Sequence, residues 1–169
     1  KGVCSHSEGY YTEASGVNSH AEGNGTKANG INSHTEGYLT ETSGDHSHAE
    51  GDRTKAEGYA SHSEGRFTKA IGMYAHAEGA NNEAVGNHSH AEGLNNITKG
   101  GNGHIEGNQN RAYGHTPHAE GFKTTALGDG THAEGASSNK AEDYIYTEYD
   151  ENGKPTTTLL KDNDEIITE

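Results

Sequence analysis

The chain has 169 residues, a length that suits one domain, yet only 27% of them are hydrophobic and 25 are glycine. So little apolar mass excludes a conventional globular core, and without a pattern such a chain would read as disordered. A formal charge of −14 argues against nucleic acid and anionic membrane surfaces, both of which call for a basic patch, so neither is expected as a partner.

In chain order, the first predicted element is a short phrase that recurs. It appears as Ser19-His20-Ala21-Glu22-Gly23, again as Ser47-His48-Ala49-Glu50-Gly51, and again as Ser89-His90-Ala91-Glu92-Gly93. Its histidines, His6, His20, His34, His48, His62, His76, His90, His104, His118 and His132, are each 14 residues apart. Two residues after each stands a glutamate: Glu8, Glu22, Glu36, Glu50, Glu64, Glu78, Glu92, Glu106, Glu120 and Glu134. A glycine always follows, from Gly9 to Gly135. Ten copies without a slip mean one small unit stacked many times.

The second half of each unit is weaker, as in Thr12-Glu13-Ala14-Ser15-Gly16 and Thr26-Lys27-Ala28-Asn29-Gly30, and its glycine also keeps phase to Gly128. A coiled coil does not fit this heptad spacing. The a and d positions are polar, and each glycine would cost a helix about 1 kcal/mol. Strands fit. In Ser-His-Ala-Glu, the serine and alanine share one face and the histidine and glutamate the other. Thr and Ala share a face in the second half, and glycine with two variable residues makes a turn.

Two short strands and two turns describe one coil of a narrow β-roll. Inward residues must then be small, as Ser7, Ala21, Thr35, Ala49, Ser63, Ala77, Ala91, Ala119 and Ala133 are; Ile105 is the exception. At a strand spacing of about 4.8 Å, ten coils make a rod of roughly 48 Å. The outward residues of the second strand vary freely (Glu13, Lys27, Glu41, Lys55, Lys69, Glu83), whereas those of the first are always His and Glu. A face this uniform suggests a packed interface. With so little apolar mass per chain, self-association is expected.

The register ends at Gly135, so residues 1–135 form a repeat domain and 136–169 a different unit. Asn152-Gly153 between two β-rich runs predicts a hairpin, and Ile166-Ile167-Thr168 a third strand. This tail is a cap on the roll or the start of a further domain. One cysteine, Cys4, allows no internal disulfide, and no stretch approaches the ~20 apolar residues of a membrane span. The chain opens at Lys1 without a leader and reads as a piece of something longer.

The 14-residue unit, with Ser-x-Ala-x-Gly alternating with Thr-x-Ala-x-Gly, resembles the head repeat of YadA-type trimeric autotransporter adhesins over roughly residues 2–135. In its Ser-His-Ala-Glu-Gly form it is similar to repeats of phage and prophage tail-fibre or appendage proteins. The resemblance implies an all-β, left-handed parallel β-roll that associates as a homotrimer, with the first-strand outer face on the threefold axis. It also implies an extracellular, virion or cell-surface location and a job in host attachment. Where the adhesin repeat carries aliphatic residues on that face, this chain carries His and Glu, so the axis is expected to be polar. Some of the similar fibres continue into an autoproteolytic chaperone domain, which the stretch from Asp143 to Glu169 faintly resembles.

For the His/Glu ladder a structural role in trimer register is the first reading, with metal binding and a pH response as alternatives. No metal or other cofactor is expected, because a repeated ladder lacks the distinct ligand set of a dedicated site. Catalysis is not expected. His-x-Glu lacks the paired cysteines of a zinc deaminase, and no glutamate of the ladder is distinguished from its neighbours as a glycosidase carboxylate would be. The expected function is a non-enzymatic fibre segment of a phage or prophage, with a bacterial adhesin head and a polysaccharide-degrading tailspike segment as alternatives. Contact with a host receptor or glycan is expected where the repeat is irregular. The large turn residues are Tyr10, Tyr11, Tyr38, Leu39, Arg66, Phe67, Met73, Tyr74 and Phe122.

Overall fold

The computed structural model describes residues 1–136 and the backbone of three further strands, Tyr144–Tyr149, Pro155–Leu160 and Ile166–Thr168. The repeat folds as an all-β parallel solenoid of about nine turns, with no helix among the described residues. Among the described residues no helix is therefore long and apolar enough to cross a membrane. Each coil lies on the next with a 14-residue offset and no slip: His6 pairs with His20, Ser7 with Ala21, Glu8 with Glu22. The first strands form one sheet. Nine two-residue strands, Glu13–Ala14 through Thr125–Ala126, form the other.

The alternation expected from the sequence sets the core. Ala21, Ala49, Ala77, Ala91 and Ala119 from one sheet and Ala28, Ala56, Ala84 and Ala112 from the other are fully buried. Ile105 is also fully buried and is the largest side chain inside. It fits because its ladder neighbours are Ala91 and Ala119, and because the inward residue two positions earlier is Gly103 instead of serine. The serine that opens six of the ten phrases does more than fill space. Ser19 Oγ donates to the Gly16 carbonyl at 2.7 Å, and Ser33, Ser61 and Ser89 repeat this bond to Gly30, Gly58 and Gly86, closing the turn before those first strands.

The glycines hold phase because backbones touch there. A Cβ on Gly72 would stand 2.1 Å from the Gly86 carbonyl oxygen of the next coil. Gly79, at φ +90°, would put one 2.3 Å from the Gly93 oxygen. The turns differ from the sequence reading in one respect. Several first strands run past the glycine, as in His6–Tyr10, His34–Tyr38 and His118–Phe122, because the glycine and the residue beyond it stay in the ladder. Tyr10, Tyr38 and Phe122 thus end strands, and only the residue after each turns the chain. That residue is left-handed: Tyr11, Leu39 and Lys123 have φ of 52°, 53° and 57°, and Phe67 at the same place in its coil has 56°. Its N–H donates to the previous coil, as Phe67 N does to the Asp52 carbonyl at 2.9 Å. The inter-coil bond offsets the strain of a bulky left-handed residue.

Beyond the solenoid the same sheet turns antiparallel. His132 is paired with Thr147, Tyr144–Tyr149 with Pro155–Leu160, and the latter with Ile166–Thr168. The third strand expected at Ile166 is present. The expected Asn152-Gly153 turn and the slipped stretch 137–143 lie outside the described residues.

Candidate functional site

Parallel, unslipped pairing places every histidine of the first strands directly above the last. From His20 to His132 the imidazoles stack face to face, with ring centroids 4.6–5.1 Å apart and planes within 15° of parallel. His6, at the open end, sits edge-on to His20 at 63°. The glutamates form a second column beside the first. His76 Nε2 meets Glu64 Oε1 of the coil before it at 3.1 Å, and His62 and His90 approach Glu50 and Glu78 at 3.5 and 3.4 Å. Other carboxylates lie near the histidine of their own coil, as for His20–Glu22 and His118–Glu120, both at 3.8 Å. A shallow open groove of about 840 Å³ runs along the carboxylates from Glu78 to Glu134, over the strip the glycines leave bare.

Burial within the stack pushes the pKa of His34, His48 and His118 below the usual histidine value. Repulsion from neighbouring histidines adds to this, and nearby glutamates oppose it. These rings are therefore neutral at pH 7. The sign of the stability effect follows. The unfolded histidines titrate near 6.5 and the folded ones below that, so as pH falls through 6.5 the unfolded chain takes up protons first. Stability is full above about pH 7 and declines toward pH 5, levelling off once the folded rings also protonate. Thermal melts across this range should show the decline; a Tm flat from pH 8 to 5 would contradict it.

Sets such as His62, Glu64 and His76 have ligand atoms within 4.8 Å of one another. Yet parallel stacked rings aim their nitrogen lone pairs side by side, so two imidazoles of one chain do not converge on a single ion. The ladder has another property. The Nε2 atoms of His20, His34, His48, His62, His90, His104, His118 and His132 are closed off from solvent and have no hydrogen-bond partner among the described residues.

The large turn residues are split between two edges. Tyr10, Tyr11, Tyr38, Phe67 and Phe122 lie on the edge that follows the first strands; Tyr74 lies on the opposite one, near Tyr59 and stacked with His88. Tyr10 and Tyr11 touch at 4.2 Å and are 62% and 77% exposed. Tyr38 and Phe67 are joined by a residue that sequence reasoning did not single out, Arg53, whose guanidinium lies 5.1 Å from one ring centroid and 5.2 Å from the other.

Sequence reasoning also missed an internal asparagine ladder. Asn82, Asn96 and Asn110 replace the usual threonine and are fully buried. Asn96 Nδ2 donates to the Glu92 and Gly107 carbonyls at 2.5 and 2.9 Å, and its Oδ1 accepts from Asn110 N at 2.8 Å. The signal was legible as three consecutive Thr-to-Asn changes at one position of the unit. Compared with models of known protein families and with curated proteins, the chain matches none.

Proposed function

We propose that the chain is a segment of a homotrimeric extracellular fibre, a left-handed β-roll of ten coils whose His/Glu face lines the trimer axis and whose job is host-surface attachment. A phage or prophage tail fibre is the setting that its repeat most resembles. One observation carries the reading. A straight strip of identical side chains runs the length of the rod, with eight imidazole nitrogens shut off from water and without a hydrogen bond within the described residues, five of them only 3.4–3.8 Å from a carboxylate. Such a strip suits lengthwise pairing with identical strips, in which histidines of one copy reach carboxylates of another and uniform chemistry sets the register. The opposite sheet carries mixed Lys, Glu, Ile, Arg and Thr, as solvent tolerates.

Static light scattering at neutral pH should return a mass near three times 17.8 kDa. A monomer would remove the axis from the reading. Attachment is tested separately by retention of the fluorescently labelled protein on intact bacterial cells; no retention across a broad panel of strains would overturn it.

A further inference from the structure

On the edge that follows the first strands, successive coils bring Tyr38, Asp52, Arg53, Arg66 and Phe67 together. The Arg53 guanidinium lies between the Tyr38 and Phe67 rings, and Arg66 lies 4.9 Å from the Phe67 centroid. Asp52 alone serves both cations, at 3.0 Å from Arg53 and 3.3 Å from Arg66. Among the described residues neither arginine has another ion pair, and the Arg66 side chain is 66% exposed. Two residues beyond Arg53 and Phe67 stand Lys55 and Lys69, paired outward to Glu41 and Glu83.

In a chain of formal charge −14, four of the twelve lysines and arginines fall within residues 53–69. Fold stability does not require the cluster, since exposed ion pairs contribute little. The backbone holds it still: Arg53 and Phe67 are both left-handed, at φ 56°, and each N–H is tied to the coil before.

We propose that this edge is a binding site for a carboxylated sugar within an acidic glycan. Outside the faces that the arginines cover, the exposed Tyr38 and Phe67 rings offer apolar surface to the C–H face of a pyranose, and the under-neutralised guanidiniums offer planar forks to its carboxylate. From Tyr38 to Phe67 the patch spans two coil spacings, about 10 Å, which accommodates a short run of sugar units. The proposal rests on the attachment reading for its biological use and names the ligand class of that attachment.

The test is titration of the full chain with trigalacturonic acid and with its fully methyl-esterified form, followed by ligand-observed NMR. Wild type should bind the acid at least tenfold more tightly than the ester. Arg66→Gln and Arg53→Gln should each weaken binding of the acid tenfold or more with an unchanged circular dichroism spectrum. Arg53→Lys, which keeps charge but loses the planar fork, should fall between. Arg111→Gln, an equal change of charge elsewhere on the rod, should bind as wild type does. Three results would overturn the site: no saturation at millimolar acid, equal affinity for acid and ester, or an equal loss in Arg111→Gln. Because the probe is a free trisaccharide, these results leave the trimer mass and cell retention as independent tests of the attachment reading.

Discussion

Gly72→Ala is expected to break the rod at its middle, with a loss of about 4 kcal/mol or more. The methyl would sit 2.1 Å from the Gly86 carbonyl oxygen and 2.4 Å from its carbon, and both are backbone atoms of the next coil. Neither can move without displacing the alanine columns on which the coils stack. Since each coil touches only its neighbours, the damage should be local in origin and visible as lost cooperativity. Guanidinium melts followed by circular dichroism should change from one transition to two as the halves unfold separately. Gly101→Ala is the matched control. Its added methyl would meet only His115 Cδ2, at 3.7 Å, and the Asn87 carbonyl oxygen, at 3.8 Å, so stability should hold or rise by about 0.4–1 kcal/mol. Equal behaviour of the two variants would refute the close-approach account of the glycine ladder.

Asn96→Ala should cost about 3 kcal/mol or more. Its side chain is fully buried and bonds the Glu92 carbonyl, the Gly107 carbonyl and the Asn110 amide. Removal leaves buried backbone groups short of partners, each worth about 1–3 kcal/mol, and opens a void in a core made mostly of alanine and threonine. Asn96→Thr should cost less than half as much. Thr68, at the same position of an earlier coil, already donates to the Glu64 carbonyl at 2.9 Å, and the hydroxyl introduced by Asn96→Thr would do the same for the Glu92 carbonyl. Urea midpoints of the two variants check the order; a loss below about 1 kcal/mol for Asn96→Ala would show the ladder to be incidental.

Much of the molecule was legible in one dimension. The unbroken spacing of the histidines implied register, the Ser/Ala and Thr/Ala alternation implied which side faces inward, and recurrent glycines implied contact between backbones. Each of these is a local property repeated, so reading one coil reads them all. What was not legible depends on pairs 14 residues apart. Tyr10, Tyr38 and Phe122 read as turn residues, but they end strands because a glycine at φ near +100° keeps the ladder going. Arg53 looked like one variable residue among many until the fold set it between Tyr38 and Phe67. Asn82, Asn96 and Asn110 looked like substitutions for threonine until stacking turned them into a hydrogen-bonded column.

The sequence by itself determined the coil: its length, its small interior, its two unlike faces and the places where only glycine fits. Those follow from strand alternation and steric exclusion, which act over a few residues. Only the tertiary structure decided that the imidazoles stack, that burial holds His34, His48 and His118 neutral, and that two arginines share one carboxylate on an aromatic edge. Those depend on charge, desolvation and ring contact between coils about 4.8 Å apart, distances that exist only once the coils are stacked.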